Sequence, residues 1–282
     1  MKNIMISGST GLVGSRVVEL LKDDFNFIPL IAKEVDITDT IKVDEFINEK
    51  EFDIFLHLAA YTNVNGAEFE KELAFKINVE GTKNVFNSVL NKNKKFIHIS
   101  TDFVFSGADK DKIYYEEDRP LPNGTYGKTK LQGEKLVNGK AMIVRISYPY
   151  RAYFEEKKDF ISSIRSVLES GQEINVVTDS ILTPTFIDDI AFALKHLLNN
   201  YDTNIYHLVG SSNISPFNAV KLIALKFDLD SNLIKPTSFT SYFKEYAVIR
   251  PQYSSLKSKM NNFYKMKSFE EGLDEIIKYL SL

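Results

Sequence analysis

An α/β fold, a doubly wound parallel sheet with a smaller α/β addition toward the C-terminus, is predicted by three observations. Short apolar runs alternate with helical patterns down to about residue 150, as successive βα units require. The opening strand, Lys2 to Ser7, ends in Gly8-Ser9-Thr10-Gly11-Leu12-Val13-Gly14, and a helix follows with Val17, Val18, Leu20 and Leu21 on its apolar side. The run Lys95-Phe96-Ile97-His98-Ile99 is apolar and bounded by polar residues, so it predicts a buried strand. Thr101 then falls just past a strand's carboxyl end, where open α/β sheets place their ligands.

Composition narrows the classes. A chain of 282 residues makes one large domain or two small ones, and its 44% apolar share argues against disorder. Net charge is −3 with no long basic run, so nucleic acid is not an expected partner. Zero cysteines exclude disulfides and thiolate chemistry, which fits a reducing cytoplasm. The first residues already read as a strand, leaving no room for a signal peptide, and no apolar run approaches the ~18 residues of a membrane span. The expectation is a soluble, cytoplasmic protein with no membrane partner.

In chain order, the first βα turn has the character of a dinucleotide-binding entry. Gly8 permits the tight turn, Gly11 lets backbone approach a pyrophosphate, and Gly14 lets helix and strand pack closely. The helix N-terminus then offers free N–H groups and a positive dipole end to phosphates. The spacing is G-x-x-G-x-x-G. A second strand, Asn26 to Ala32, leads to Lys33-Glu34-Val35-Asp36-Ile37. An acid there favours NAD and a base favours NADP; Lys33 and Glu34 pull in opposite directions, so NADH and NADPH both stay open. Asp36 and Ile37 are placed to flank the adenine, and Asp39 to cap a helix from Thr40 to Lys50. A third strand, Asp53 to Leu58, ends in Ala59-Ala60-Tyr61-Thr62, small residues against which a cofactor can lie. A helix from about Glu70 to Leu90 precedes the fourth strand. His57 and His98 read as packed strand residues, His196 and His207 are isolated, and no histidine pair has metal-ligand spacing, so no metal is expected.

The chemistry concentrates between Ser100 and Lys130. Thr125 can cap a helix through Val137, on which Tyr126 and Lys130 stand four apart on one face. A neighbouring ammonium favours phenolate over phenol, so Lys130 is expected to lower the pKa of Tyr126. A hydroxyl, a phenol and a lysine suit carbonyl reduction beside a nicotinamide. The same spacing recurs at Tyr153/Lys157 and Tyr253/Lys257, where no strand-end Ser-Thr pair precedes it.

A fifth strand, Ala141 to Ile146, is expected next. Beyond it the pattern loosens into helices at 160–168, 187–198, 216–227 and 269–282 and strands at 173–177 and 204–208. The division expected is 1–150 for dinucleotide binding and 151–282 mainly for a cap, with some segments returning to the first unit.

Assembled, these residues resemble the extended short-chain dehydrogenase/reductases, and within them the dTDP-4-dehydrorhamnose reductase family. The likeness runs nearly end to end. It includes the glycine turn, Val35-Asp36-Ile37-Thr38, Ala59-Ala60-Tyr61-Thr62, Ser100-Thr101-Asp102-Phe103-Val104-Phe105 and Tyr126-Gly127-Lys128-Thr129-Lys130. Arg145-Ile146-Ser147-Tyr148, Thr183-Pro184-Thr185 and Arg250-Pro251 followed by Ser254 extend it. Phe103 stands where the family usually has tyrosine, and Tyr148-Pro149 where tryptophan and a small aliphatic residue are common.

The resemblance implies a Rossmann-type domain with a substrate-binding cap, and NAD(P)H-dependent reduction of the C4 ketone of a nucleotide-linked 6-deoxyhexose. It gives Tyr126 as proton donor, Thr101 as hydrogen-bond partner of the same oxygen, and Lys130 as the holder of the nicotinamide ribose. Gly8, Thr10, Gly11, Leu12, Val13, Gly14, Asp36, Ile37, Ala59, Ala60, Tyr61 and Thr62 would line the cofactor with Tyr126 and Lys130. Asp102, Tyr148 and Arg250, with Thr101, would face the nucleotide-sugar substrate. A homodimer is among the assemblies left open. The chain also resembles the β-subunit of methionine adenosyltransferase, a dinucleotide-binding regulatory subunit, and a sugar-nucleotide epimerase is a further alternative.

Overall fold

The computed structural model describes residues 1–156, 158–244 and 249–281. Lys157 of the second Tyr-x-x-x-Lys match, and Leu282 at the end of the last expected helix, lie outside the described residues.

The first half follows the expected alternation. Its elements are β1 (Lys2–Ser7), α1 (Leu12–Leu21), β2 (Phe25–Leu30), α2 (Thr40–Glu49), β3 (Ile54–His57), α3 (Val64–Phe69), α4 (Lys71–Phe75) and α5 (Thr82–Asn91). Then come β4 (Lys95–Thr101), β5 (Ile113–Tyr114), α6 (Thr125–Val137) and β6 (Met142–Ile146). The second half holds β7 (Pro149–Tyr150), α7 (Phe160–Glu169), β8 (Ile174–Val177), β9 (Thr185–Phe186), α8 (Ile187–Asn199), β10 (Ile205–His207) and α9 (Pro216–Lys226). It closes with β11 (Ile234–Thr237), α10 (Phe239–Phe243), β12 (Ser255–Leu256) and α11 (Phe269–Leu280).

Six strands form one parallel sheet in the order β10-β6-β4-β3-β1-β2. A parallel sheet needs cover on both faces, so its strands are apolar almost throughout. One face carries Val17 and Leu21 of α1 and Ile190, Leu194 and Leu197 of α8. The other carries Val43 and Ile47 of α2, Val85 and Val89 of α5, and Val137 of α6. Chain order in the sheet reverses beside β1, which makes a topological switch point at the glycine turn. As expected, Asp39 caps α2, accepting from the amides of Ile41 and Lys42 at 3.1 Å each. His57 and His98 are fully buried packing residues, their rings stacked 5.6 Å apart.

Three local details differ from the sequence reading. The expected helix over residues 70–90 is present, but Lys76–Gly81 is wound as a π turn between α4 and α5. The π turn carries Asn78, which accepts from the Tyr61 amide at 2.8 Å and donates to Thr129 Oγ1 at 3.0 Å, tying the end of β3 to α6. Thr125 does not cap α6. Gly124 holds the cap position, and the Thr125 amide and hydroxyl both donate to Glu68, at 2.6 and 2.8 Å. A carboxylate on α3 outcompetes a local hydroxyl because it accepts both bonds at once. Thr101 ends β4 rather than following it, pairing with Ile146 of β6.

Segments after residue 150 return to the main unit: α8 packs beside α1, and β10 adds an edge strand beside β6. The remainder builds a second core in which α7, α9 and α11 pack around Tyr150, Phe186 and Phe269. The parallel pairs β8–β11 and β7–β9 sit against it.

A buried ion pair ties α6 to β6. Arg145 Nε and Nη2 meet the two Glu134 oxygens at 2.9 and 2.8 Å. Both side chains are nearly solvent-free. Removing one partner of such a pair strands the other charge in the interior, at a cost of about 3–5 kcal/mol. Glu134→Ala is therefore expected to lose stability on that scale in denaturant titration, and a loss below about 1 kcal/mol would contradict the role given to the pair.

Candidate active site

One cavity of about 840 Å³ runs along the carboxyl edge of the sheet, from the glycine turn after β1 to Tyr148 and Arg250. At its first end, Gly8 has φ +74°, a conformation side chains disfavour, and a Cβ on it would lie 2.8 Å from the Ala59 amide nitrogen. A Cβ on Gly14 would lie 2.2 Å from the Gly8 carbonyl oxygen, so α1 meets the turn at a distance only glycine permits. No side chain caps α1 at Gly11, which leaves the helix N-terminus open toward the cavity as a site for phosphate oxygens. These features fit a dinucleotide.

Every site residue expected from the sequence lines this cavity except Tyr61. The Tyr61 hydroxyl instead donates to Glu70 at the start of α4, drawn outward by a charged acceptor. Phe103, which stands where the family usually has tyrosine, lines the cavity as well, and so do Leu30, Ala32, Ile77, Phe154 and Glu156, which were not singled out from the sequence. Leu30 ends β2, so the strand-end rule could have found it. Phe154 and Glu156 lie in an irregular segment after β7, with no periodic signal.

Beside the glycine turn, past the end of β2, the Asp36 carboxyl accepts from the Thr38 amide at 2.9 Å, and this bond holds it below the ordinary carboxylate range. At the far end, Tyr148 has φ +38°. A tyrosine held in the left-handed region stores on the order of 1–3 kcal/mol of strain, a cost that concentrates at functional sites. Its carbonyl accepts from the Thr185 amide at 3.1 Å, which helps fix the turn. Arg250 Nη2 donates to Asn65 Oδ1 at 2.6 Å.

The centre of the cavity holds Thr101, Asp102, Tyr126 and Lys130. Thr101 Oγ1 donates to Asp102 Oδ1 at 3.0 Å. Phe103 stands edge-on to the Tyr126 ring, with centroids 5.5 Å apart. Burial pushes Tyr126 up to about 12; the nearby Thr101 hydroxyl opposes this and the Asp102 charge adds to it. Lys130 Nζ donates to the Ile99 carbonyl at 2.7 Å, and burial brings the ammonium down to about 8.

The sequence reading had Lys130 lowering the Tyr126 pKa; the structure corrects it. Helical spacing puts both side chains in the cavity, but the ammonium turns to a strand carbonyl and loss of solvent dominates the phenol. Tyr126 therefore stays protonated at neutral pH.

A parallel six-stranded sheet with a glycine turn at its switch point, and a Thr-Tyr-Lys group at its carboxyl edge, defines a Rossmann-type oxidoreductase of the short-chain dehydrogenase/reductase kind. Comparison with known proteins agrees. A curated relative from Haloferax volcanii, a probable low-salt glycan biosynthesis reductase, is 30% identical over 89% of this chain and 88% of its own length. The dTDP-4-dehydrorhamnose reductase of Mycolicibacterium smegmatis is 28% identical over 98% of this chain and 85% of its own. The crystal structure of dTDP-4-dehydrorhamnose reductase from Bacillus anthracis in complex with NADP superposes with a TM-score of 0.91, at 31% identity and 99% coverage of both chains. Residues 1–282 match the family model described as RmlD substrate binding domain, and the chain belongs to that family, the dTDP-4-dehydrorhamnose reductases.

The contact at Gly14 generates a prediction. Gly14→Ala forces the turn and α1 apart, and dinucleotide affinity is expected to fall by at least about ten-fold, roughly 1.4 kcal/mol. Fluorescence titration with NADPH and with NADH measures it; unchanged affinity in a folded variant would remove the turn from the binding site.

Proposed function

We propose that this protein reduces the C4 ketone of a nucleotide-linked 6-deoxy sugar, of the dTDP-4-dehydrorhamnose type, at the expense of NADPH or NADH. The observation that carries the reading is the meeting of Thr101, Tyr126 and Lys130 in the cavity that begins at the glycine turn. In this reading residues 1–150 bind the dinucleotide. Residues 151–282 mainly form the cap, with α8 and β10 returning to the first unit.

A reduced nicotinamide held in this cavity would supply the hydride. Tyr126 protonates the carbonyl oxygen as negative charge develops there, and Thr101 turns its single hydroxyl proton from Asp102 to hydrogen-bond the same oxygen. Lys130, at the next turn of α6, holds the nicotinamide ribose. Asp36 and Ile37 flank the adenine, while Ala59, Ala60 and Thr62 let the cofactor lie close to backbone. Tyr148 offers an aromatic face to the sugar nucleotide, and Arg250 a guanidinium suited to its phosphates. No helix among the described residues is long and apolar enough to cross a membrane. We place the enzyme in the cytoplasm, supported by the absence of cysteine.

The direct test is turnover of dTDP-4-dehydrorhamnose with either reduced cofactor, followed by loss of the reduced-nicotinamide absorbance. Tyr126→Phe removes only the proton donor, and kcat is expected to fall by ~10²–10⁴-fold with cofactor affinity unchanged. A variant reacting at the wild-type chemical rate would reassign the donor. A wild type that turned over no keto-sugar nucleotide would return the regulatory-subunit alternative.

The pH profile tests Lys130. Its ammonium, lowered to about 8, carries its full set of donors only below that pH. In kcat/KM for the keto-sugar nucleotide, activity is expected to decline as pH rises through about 8. A profile flat to pH ~10, where an unperturbed lysine titrates, would show that this proton does not matter.

A further inference from the structure

We propose that Ser254 is a positioning residue for the reduction, holding the Asp102 carboxyl and through it the Thr101 hydroxyl. The proposal rests on the reductase reading above and adds a residue far along the chain from the catalytic group.

Asp102 lies at the centre of the cavity and is almost fully buried. Its two oxygens have separate partners. Oδ1 accepts from Thr101 Oγ1 at 3.0 Å, and Oδ2 accepts from Ser254 Oγ at 2.5 Å. A buried carboxyl with only one oxygen held can turn about its χ2, which is a broad torsion. With both held, its plane is fixed, and so is the rotamer of Thr101, whose single proton rests on Asp102 until a substrate oxygen takes its place. The Thr101 hydroxyl also accepts from the Phe103 amide at 3.3 Å, which leaves little freedom in that group.

Ser254 is itself rigidly placed. Its amide donates to the Ile181 carbonyl at 2.8 Å, and its carbonyl lies 3.0 Å from Thr183 Oγ1. The preceding amide, of Tyr253, donates to the Gly107 carbonyl at 3.0 Å. The next residues, Ser255 and Leu256, pair with Ile113 and Tyr114. The side chain thus comes from backbone pinned on both sides and reaches across 152 residues of sequence to the catalytic loop. A surface serine needs no such scaffold, and Ser254 is buried.

Charged and titratable groups around the carboxyl are few. The Asp102 charge is felt by Tyr126 and Tyr148, and Arg250 faces Tyr148. Burial raises Asp102, and the Ser254, Thr101 and Ser147 hydroxyls oppose that by favouring the ionised form. Losing the Ser254 hydroxyl therefore frees one carboxyl oxygen and removes part of what keeps the group ionised.

The test compares Ser254→Ala, Asp102→Ala and the double variant in the full-length enzyme. Ser254→Ala is expected to lower kcat about ten-fold, with NADPH affinity and the KM for the keto-sugar nucleotide within about two-fold of wild type. The double variant is expected to be no slower than Asp102→Ala alone, because Ser254 acts through that carboxyl. Additive losses, or an unchanged kcat in Ser254→Ala, would overturn the proposal. An activity-independent reading comes from carbon NMR of labelled aspartate, in which the Asp102 carboxyl should titrate at higher pH in Ser254→Ala. If the wild type reduces no keto-sugar nucleotide, the reductase reading fails. The NMR titration still decides this proposal: an unmoved Asp102 would show that the bond does not govern the carboxyl.

Discussion

A parallel sheet brings the carboxyl ends of all its strands to one edge, and the site in this protein is a consequence of that geometry. β1 delivers the glycine turn, β2 the segment of Asp36 and Ile37, β3 Ala59 and Ala60, β4 Thr101, and β6 the turn to Tyr148. Parallel pairing also forces each connection to cross a face of the sheet, which is why helices cover both sides and the strands can be apolar throughout. One set of crossovers thus provides both the core and the cavity. The helix α6 is the crossover that matters most, because it brings Tyr126 and Lys130 back over the end of β4.

Burial, more than pairing, sets the proton chemistry. A phenol taken out of water resists ionisation and an ammonium taken out of water resists protonation, so Tyr126 moves up and Lys130 moves down. Both shifts follow from the depth of the cavity rather than from contact between the two groups. The same logic keeps His57, brought down to about 3 by burial with a smaller push from Lys130, neutral beneath the site. Its ring nitrogens lie 2.8 Å from the Ser7 hydroxyl and 3.1 Å from that of Thr82.

Long-range polar contacts hold the two halves of the chain together around this centre. Arg16 of α1 makes a two-pronged bond to Asp188 of α8, at 2.7 and 2.6 Å. Behind α6, Arg145 reaches Glu134 and lies 3.3 Å from His207, whose other ring nitrogen is 2.9 Å from the Lys257 carbonyl. Glu116 accepts from the amides of His207 and Lys259 at 3.0 Å each. The late segment that supplies Ser254 is therefore sewn to β10 and to the loop before α6. Such networks are costly to break where their members are buried, as Arg145, Glu134 and His207 are.

Local pattern determined much of this protein. The 3.6-residue and strand-length apolar periods gave the βα alternation, the glycine spacing marked the cofactor turn, and strand-end position singled out Thr101. Tyr126 and Lys130 were legible because a helix converts a spacing of four into one face. What the sequence could not decide was anything set by distant neighbours. Thr125 yields its cap position because Glu68 arrives from another helix, and Tyr61 turns away from the cavity toward Glu70. The Lys130 ammonium finds the Ile99 carbonyl instead of Tyr126. Phe154 and Glu156 reach the cavity from a segment without period, and Ser254 meets Asp102 only when β12 is laid beside β5. Periodicity reports which residues share a face of one element; solvent exclusion and hydrogen-bond competition between elements exist only once the chain is folded.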